Sequence, residues 1–267
     1  MKIFLAGVGI GNDSYLYHSN PPEKVMRLFL AGLAGEGSRI DVRIYVLESF
    51  YYVKDFMIPY IEKYWDLILD SGAFTFMRSY KKHVDWDEYI LRYADFINQH
   101  NIKRFFELDI DVVVGIKEVE RLRRKLENLT SKRSIPVFHK SRGKDYWFRM
   151  IKDYEYVAIG GIVTKEIKQK EHHIFKWFLD TARKENCKVH ALGYTNFKGL
   201  KKYPFYSVDS TAWLAGNQFG HVVKFDGQTI KRIKTIRNEM QRIKPQEAAV
   251  NNFKEWLKFQ KYAEGHL

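Results

Sequence analysis

The chain is poor in cysteine, with Cys187 alone among 267 residues. A single thiol excludes an internal disulfide and any zinc site built from several cysteines, and it fits a reducing compartment. Long apolar runs are also missing: none approaches the roughly 20 residues that a membrane-spanning helix needs. The opening MKIFLAGVGIGND has too short an apolar stretch for a secretory leader and lacks a cleavage site, so it reads as a first strand. Internal repeats, low-complexity tracts and Gly/Ser linkers are absent as well. A cytoplasmic protein with no membrane partner is the expectation.

Core-forming material is plentiful, at 45% hydrophobic and 16% aromatic residues, which argues against disorder. Charge is lopsided: 45 Lys and Arg stand against 32 Asp and Glu, a formal net of +13. Such an excess points to a polyanionic partner, nucleic acid before membrane, since no basic amphipathic segment with a lipid-facing stripe stands apart.

Strand-like and helix-like stretches alternate along the chain. Strands are expected at 3–7, 43–49, 67–74, 104–111, 135–141, 156–161, 189–194 and 205–211. Helices are expected near 23–33, 52–64, 85–99, 116–129, 165–185, 228–244 and 248–263. Asp85 with Glu88 has capping-box spacing. In the 116–129 stretch Ile116, Val119, Leu122, Leu126 and Leu129 share a face, leaving Arg121, Arg123, Arg124 and Lys125 for solvent. GVGIG at 7–11 resembles a dinucleotide loop, but NDSYLYHSNPP follows where a helix would have to start, so dinucleotide binding is not expected. About eight strand–helix units in this length predict a single (β/α)8 barrel over 1–225, with C-terminal helices over 226–267 packed on it. An open doubly wound sheet is the second choice.

The ends of the expected strands carry the polar residues. They are Asp70 and Ser71, Asp109 with Asp111, His139, Gly160 and Gly161, Gly193, and Asp209 with Ser210. In a parallel barrel all of these meet at one mouth. Burying carboxylates costs several kcal/mol unless they are paired or used, so acids ending three separate strands point to one site. Such a set either binds a divalent metal or performs covalent and acid–base chemistry. His172 and His173 are adjacent in an expected helix and point apart, while His139 and His190 are single, which makes metal-assisted hydrolysis the weaker of the two.

These residues resemble a family. DSGAF at 70–74 is similar to the DSGGFQ signature of tRNA-guanine transglycosylases. LDI at 108–110 resembles the family's base-recognition aspartate segment, GGIVTKE at 160–166 its GGLAVGE loop, HALGYT at 190–195 its (M/L)-G-x-G strand, and VDSTAW at 208–213 its nucleophile segment. All five occur in the family's order between Leu67 and Trp213. In length and in the DSGAF variant the match is best to the short, phage-type relatives that insert 7-deazaguanine bases into DNA.

The resemblance implies a fold, an activity and roles. The chain would be a barrel pentosyltransferase exchanging guanine in DNA for a free 7-deazaguanine base. Asp209 would attack C1′ and expel guanine, and Asp70 would be the general base for the incoming purine. Ser71 with Asp70 would hold the base edge, Asp109 would read N1 and N2, and the amides of Gly160 and Gly161 would bind the carbonyl. Gly72, Phe74, His139 and Gly193 complete the expected base pocket, His139 standing where the tRNA enzymes carry glutamine. The family's three-cysteine, one-histidine zinc site has no counterpart, so no zinc or other cofactor is expected. Neither the RNA-binding module of archaeal relatives nor the wobble-reading motif is recognisable, which favours DNA over the alternative substrate, tRNA. A duplex would have to extrude its base, with Arg78, Lys140, Arg142, Lys198, Lys201 and Lys202 as expected phosphate contacts and Lys81 and Lys82 nearby. Aromatics near these clusters (Phe74, Phe76, Tyr80, Tyr194, Trp213) are candidates for stacking on a base. Host cytoplasm, if the gene is phage-borne, and an accessory protein or a homodimer complete the expectations. A non-catalytic nucleic-acid-binding barrel is the reading from another class.

Overall fold

A computed structural model describes residues 1–7, 44–63, 65–73, 84–214, 221–233 and 245–267. Seven strands form one parallel sheet in the order β3-β2-β1-β7-β6-β5-β4. They are β1 (Lys2–Ala6), β2 (Ile44–Ser49), β3 (Trp65–Asp70), β4 (Val137–Phe138), β5 (Tyr156–Ile159), β6 (Lys188–Ala191) and β7 (Ser207–Ser210). The sheet is curled and flanked by helices, a mixed α/β architecture compatible with a TIM-like fold. Single parallel bridges, Leu69 to Phe105 and Phe106 to Ile135, lie between the two outer strands.

Alternation along each strand explains the near-continuous apolar runs. Ile3, Leu5, Val46, Leu67, Leu69, Val157, Ile159, Val189, Ala191 and Val208 belong to the outer core beneath the helices. Their neighbours Phe4, Ala6, Tyr45, Leu47, Ile68 and Ala158 pack with Phe106, Ile135 and Val137 in a second cluster inside the curl. Both faces are therefore buried, as parallel strands require. The same parity turns His190, Ser207, Asp209 and Asp70 inward.

Among the described residues the helices are α1 (Ile58–Lys63), α2 (Trp86–Gln99), α3 (Asp111–Val114), α4 (Ile116–Thr130), α5 (Lys144–Asp153), α6 (Ile174–Lys184), α7 (Phe197–Lys202) and α8 (Pro245–His266). Asp85 caps α2 as its sequence implies, accepting from the amides of Asp87 and Glu88 at 3.0 Å. On α4 the apolar stripe is buried at Val119, Leu122 and Leu126. Arg123 departs from the expected solvent face: it is buried and ion-paired to Glu107 at 3.1 Å.

Several expected elements differ. Residues 104–111 make only the two single bridges and then enter α3, because Asp111 starts a helical turn. The long helix expected from 165 begins at Ile174, after turns and a short 3-10 segment, Gln169–Glu171. Helices α5 and α7 occupy stretches for which none was expected. A hairpin, β8 (Val222–Phe225) with β9 (Ile230–Ile233), replaces the start of the helix expected from 228. Its turn is set by Asp226, whose carboxylate accepts from the amides of Gln228 and Thr229. The expected helix near 23–33 and the GVGIG residues beyond Gly7 lie outside the described residues.

Helix α8 fastens β1 to β2 where their ladder opens. Gln260 donates to the carbonyls of Ile3 at 2.7 Å and Tyr45 at 2.8 Å, and the N-terminal ammonium donates to Ala263 at 3.0 Å. Buried carbonyls left over by the sheet are satisfied in this way. Among the described residues, no helix is long and apolar enough to cross a membrane.

Candidate active site

The carboxyl ends of the strands open onto a cavity of about 750 Å³. Asp70, Ser71, Asp109, Asp111, His139, Gly160, Gly161, Gly193 and Asp209 all line it, so nine of the strand-end residues singled out in the sequence come together in space. Gly72 does not: a Cβ there would lie 2.7 Å from the Tyr51 Cβ and 2.8 Å from the Ser49 Oγ, so this glycine serves a close crossing of two loops. Phe74, Phe76, Arg78, Tyr80, Lys81 and Lys82 lie outside the described residues.

Asp209 sits at 7% exposure with its Oδ1 held by two donors. The Gly193 amide donates to it at 2.6 Å, and His190 Nε2 lies 3.2 Å away. Two contacts aimed at one oxygen fix the direction of the Asp209 carboxyl group. Asp70 is placed differently. Burial pushes its pKa up to about 6, opposed by the Gly72 amide at 3.0 Å and reinforced by the charges of Asp109 and Asp209. Burial thus places Asp70 where it can give and take a proton near neutral pH, as acid–base chemistry there requires.

The opposite wall is an ion-pair network. His139 Nε2 meets Asp109 at 2.8 Å and its Nδ1 meets Glu166 at 2.9 Å. Burial pulls the imidazole pKa down, yet these two carboxylates carry it to about 9, so His139 is a cation at neutral pH. Gly160 and Gly161 make room for the pairing: a Cβ on Gly160 would lie 2.9 Å from the His139 Cε1, and one on Gly161 would lie 2.6 Å from the Glu166 Oε2. Arg142 reaches in beneath, 2.8 Å from Asp111 Oδ2, 3.7 Å from Asp109 and 3.6 Å from Glu107. Glu107 is fully buried, and burial pushes its pKa up to about 6 against the pull of Arg123 and Arg142.

This corrects Arg142 as a phosphate contact. Its side chain is 4% exposed and satisfied by internal acids. Lys140 is exposed but pairs with Glu171. Lys198 is exposed in the first turn of α7, while Lys201 and Lys202 fall in its last turn, where Lys201 contacts Gln228 at 3.2 Å. Tyr194 and Trp213, the stacking candidates, are buried and do not line the cavity. Tyr194 packs among His172, Phe175 and Phe205, and Trp213 packs on Phe253 while donating to the Ala6 carbonyl.

The cavity wall is acidic. Glu48, Asp70, Asp109, Asp111, Glu166 and Asp209 line it, with no lysine or arginine among the described lining residues. Val112 and Val163 form an apolar lip, 80% and 64% exposed. This differs from the basic mouth expected from the sequence: among the described lining residues the charged side chains other than His139 are acids, which disfavours a phosphate inside the chamber. Asp109, Asp111 and His139 bring ligand atoms within 4.8 Å of one another, a spacing a divalent ion can use. Here His139 and Arg142 engage the two carboxylates.

Glu107, Glu166 and His190 were not picked out as site residues from sequence. Glu166 ends the quoted GGIVTKE stretch and His190 begins HALGYT, so position within those motifs was the available signal. No protein-family model matches the chain, and no curated protein sequence matches it.

Proposed function

We propose that the chain is a base-exchange transglycosylase that replaces guanine in DNA by a 7-deazaguanine base through a covalent aspartyl–sugar intermediate. The observation that carries this reading is the pair Asp209 and Asp70, which open on one cavity, with burial pushing Asp70 toward its protonated form. The residue matches at 70–74, 108–110, 160–166, 190–195 and 208–213 support it. We read the two bridges at Phe105 and Phe106 as completing an eight-membered (β/α)8-type ring whose mouth is this cavity.

In the first half-reaction an Asp209 oxygen bonds to C1′ as the C1′–N9 bond breaks. The electron pair leaves on guanine N9, which takes a proton from protonated Asp70. In the second half, Asp70 accepts the N9 proton of the incoming base. That nitrogen then attacks C1′ and releases Asp209 as a carboxylate. Two displacements through an enzyme-bound sugar replace one difficult exchange. The acidic wall matches the N1 and N2 donors of the purine edge, with Asp109 nearest that role. Phosphates stay outside the chamber, and the basic excess of the chain meets them there.

The test is direct. Double-stranded DNA carrying labelled guanine is incubated with the protein and a 7-deazaguanine base, and free labelled guanine is measured; tRNA is the parallel arm. Release from DNA alone supports the reading, release from tRNA alone transfers it to the tRNA substrate, and release from neither removes it.

A further inference from the structure

A line of hydrogen bonds runs from Asp209 through the middle of the curled sheet. His190 Nε2 is 3.2 Å from Asp209 Oδ1, and His190 Nδ1 is 2.7 Å from the Ser207 Oγ, which in turn meets the Tyr156 hydroxyl. His190 and Ser207 are fully buried. The two ends differ in what they reach: Asp209 lines the large cavity, whereas Tyr156 lines a separate one, shared with Arg104, Arg133 and Lys188.

Strand register creates the line. His190 pairs with Ser207 across β6 and β7, so two inward positions on neighbouring strands present polar groups side by side. Around them the interior is apolar. The His190 ring meets the edges of Phe4 and Phe106 at centroid distances of 6.1 and 5.4 Å. Polar groups placed in such a core are costly unless every one is satisfied, and here each has its partner.

We propose that His190 is a positioning residue for Asp209, locked into its Nε2–H tautomer by donation from Ser207, which Tyr156 supports. This inference rests on the base-exchange reading of Asp209. The direction of the hydrogen bonds follows from the carboxylate. An ionised oxygen accepts only, so Nε2 must carry the hydrogen that faces it. In a neutral ring Nδ1 is then the acceptor of a hydrogen bond donated by the Ser207 hydroxyl, which leaves Ser207 to accept from Tyr156. Burial pushes the Tyr156 phenol pKa upward, keeping it a donor. Together with the Gly193 amide, His190 pins Oδ1 and leaves Oδ2 for attack on C1′. A nucleophile held in one orientation loses less entropy on reaching the transition state.

The experiment compares His190→Phe, His190→Gln and Ser207→Ala in the intact chain, using labelled guanine exchange into guanine-containing DNA. Phenylalanine keeps the ring and removes the donor. The expected result is a fall in kcat of about tenfold to hundredfold with KM for DNA unchanged. Glutamine, whose Nε2 reaches the place of the imidazole Nε2, restores most of the rate. Ser207→Ala keeps the ring and gives a smaller loss, which keeps the test alive if His190→Phe does not fold. Full activity in His190→Phe, a loss confined to KM, or a folded His190→Gln no better than His190→Phe overturns the proposal. Long-range nitrogen spectra of the wild-type histidine rings give a second readout that needs no activity. An Nε2–H tautomer at His190 that shifts in Ser207→Ala is expected, and an Nδ1–H tautomer refutes the arrangement. Absence of exchange by the wild type would remove the base-exchange reading, while the ring spectrum would still decide the hydrogen-bond geometry.

Discussion

Asp70 and Asp209 leave the same curled sheet three strands apart, on β3 and β7, and open onto one cavity closely enough that the charge of Asp209 raises the proton affinity of Asp70. Burial raises the Asp70 pKa to about 6, while Gly193 and His190 fix the direction of Asp209.

Replacing Asp209 by asparagine leaves the shape of the site and removes the nucleophile. Exchange is expected to fall by at least about a thousandfold, since the covalent route is lost rather than weakened. Steady-state release of labelled guanine measures it.

Asp70 gives a pH signature. Its folded pKa of about 6 lies above the usual 3.8, so the native state holds this proton more tightly than the unfolded chain. Its contribution to stability is full below the lower value and is lost as pH rises through the higher one. Asp70→Asn is therefore expected to be more stable than the wild type at pH 8, by on the order of 2 kcal/mol. At pH 3 the two proteins should unfold at the same denaturant concentration. Denaturant titrations at the two pH values check this.

Arg142→Met separates the internal role of this residue from a phosphate contact. It leaves Glu107, fully buried, with Arg123 as its remaining cation, and deprives Asp111 of a partner at 2.8 Å. Breaking such a network costs about 3 kcal/mol. Thermal unfolding reports the loss, and a variant as stable as the wild type would contradict the burial.

Gly160→Ala tests the fit of His139. The added Cβ would lie 2.9 Å from the imidazole Cε1 and from Val137 Cγ1, forcing the ring away from Asp109. The His139 pKa, carried to about 9 by its two carboxylates, is expected to fall toward 6.5 in a ring titration followed by NMR. Exchange activity should fall with it.

How much of this was legible beforehand depends on range in the chain. Strand ends could be read because parallel strands are apolar on both faces, so a run such as Leu67–Ile68–Leu69 closing on Asp70 stands out locally. Pairings could not. His139 meets Glu166 and Asp109 across 27 and 30 positions, and nothing near Arg142 announces that its charge is spent inside. The second strand of the hairpin reads as helix from sequence because Ile230, Ile233 and Ile236 keep helical spacing. The Asp226–Gly227 dipeptide, a hairpin signal, was the better guide. Helix α5 carries Tyr146, Trp147, Met150 and Ile151 on one buried face, a period visible in sequence once the chain between 141 and 156 is asked for it.

Intact-mass measurement of the protein quenched in denaturant during turnover on guanine-containing DNA tests the central claim most directly. The account predicts a species whose mass equals the protein plus a DNA strand lacking one guanine, attached at Asp209 and absent from Asp209→Asn. Turnover without any such species, or the same adduct in Asp209→Asn, would contradict it.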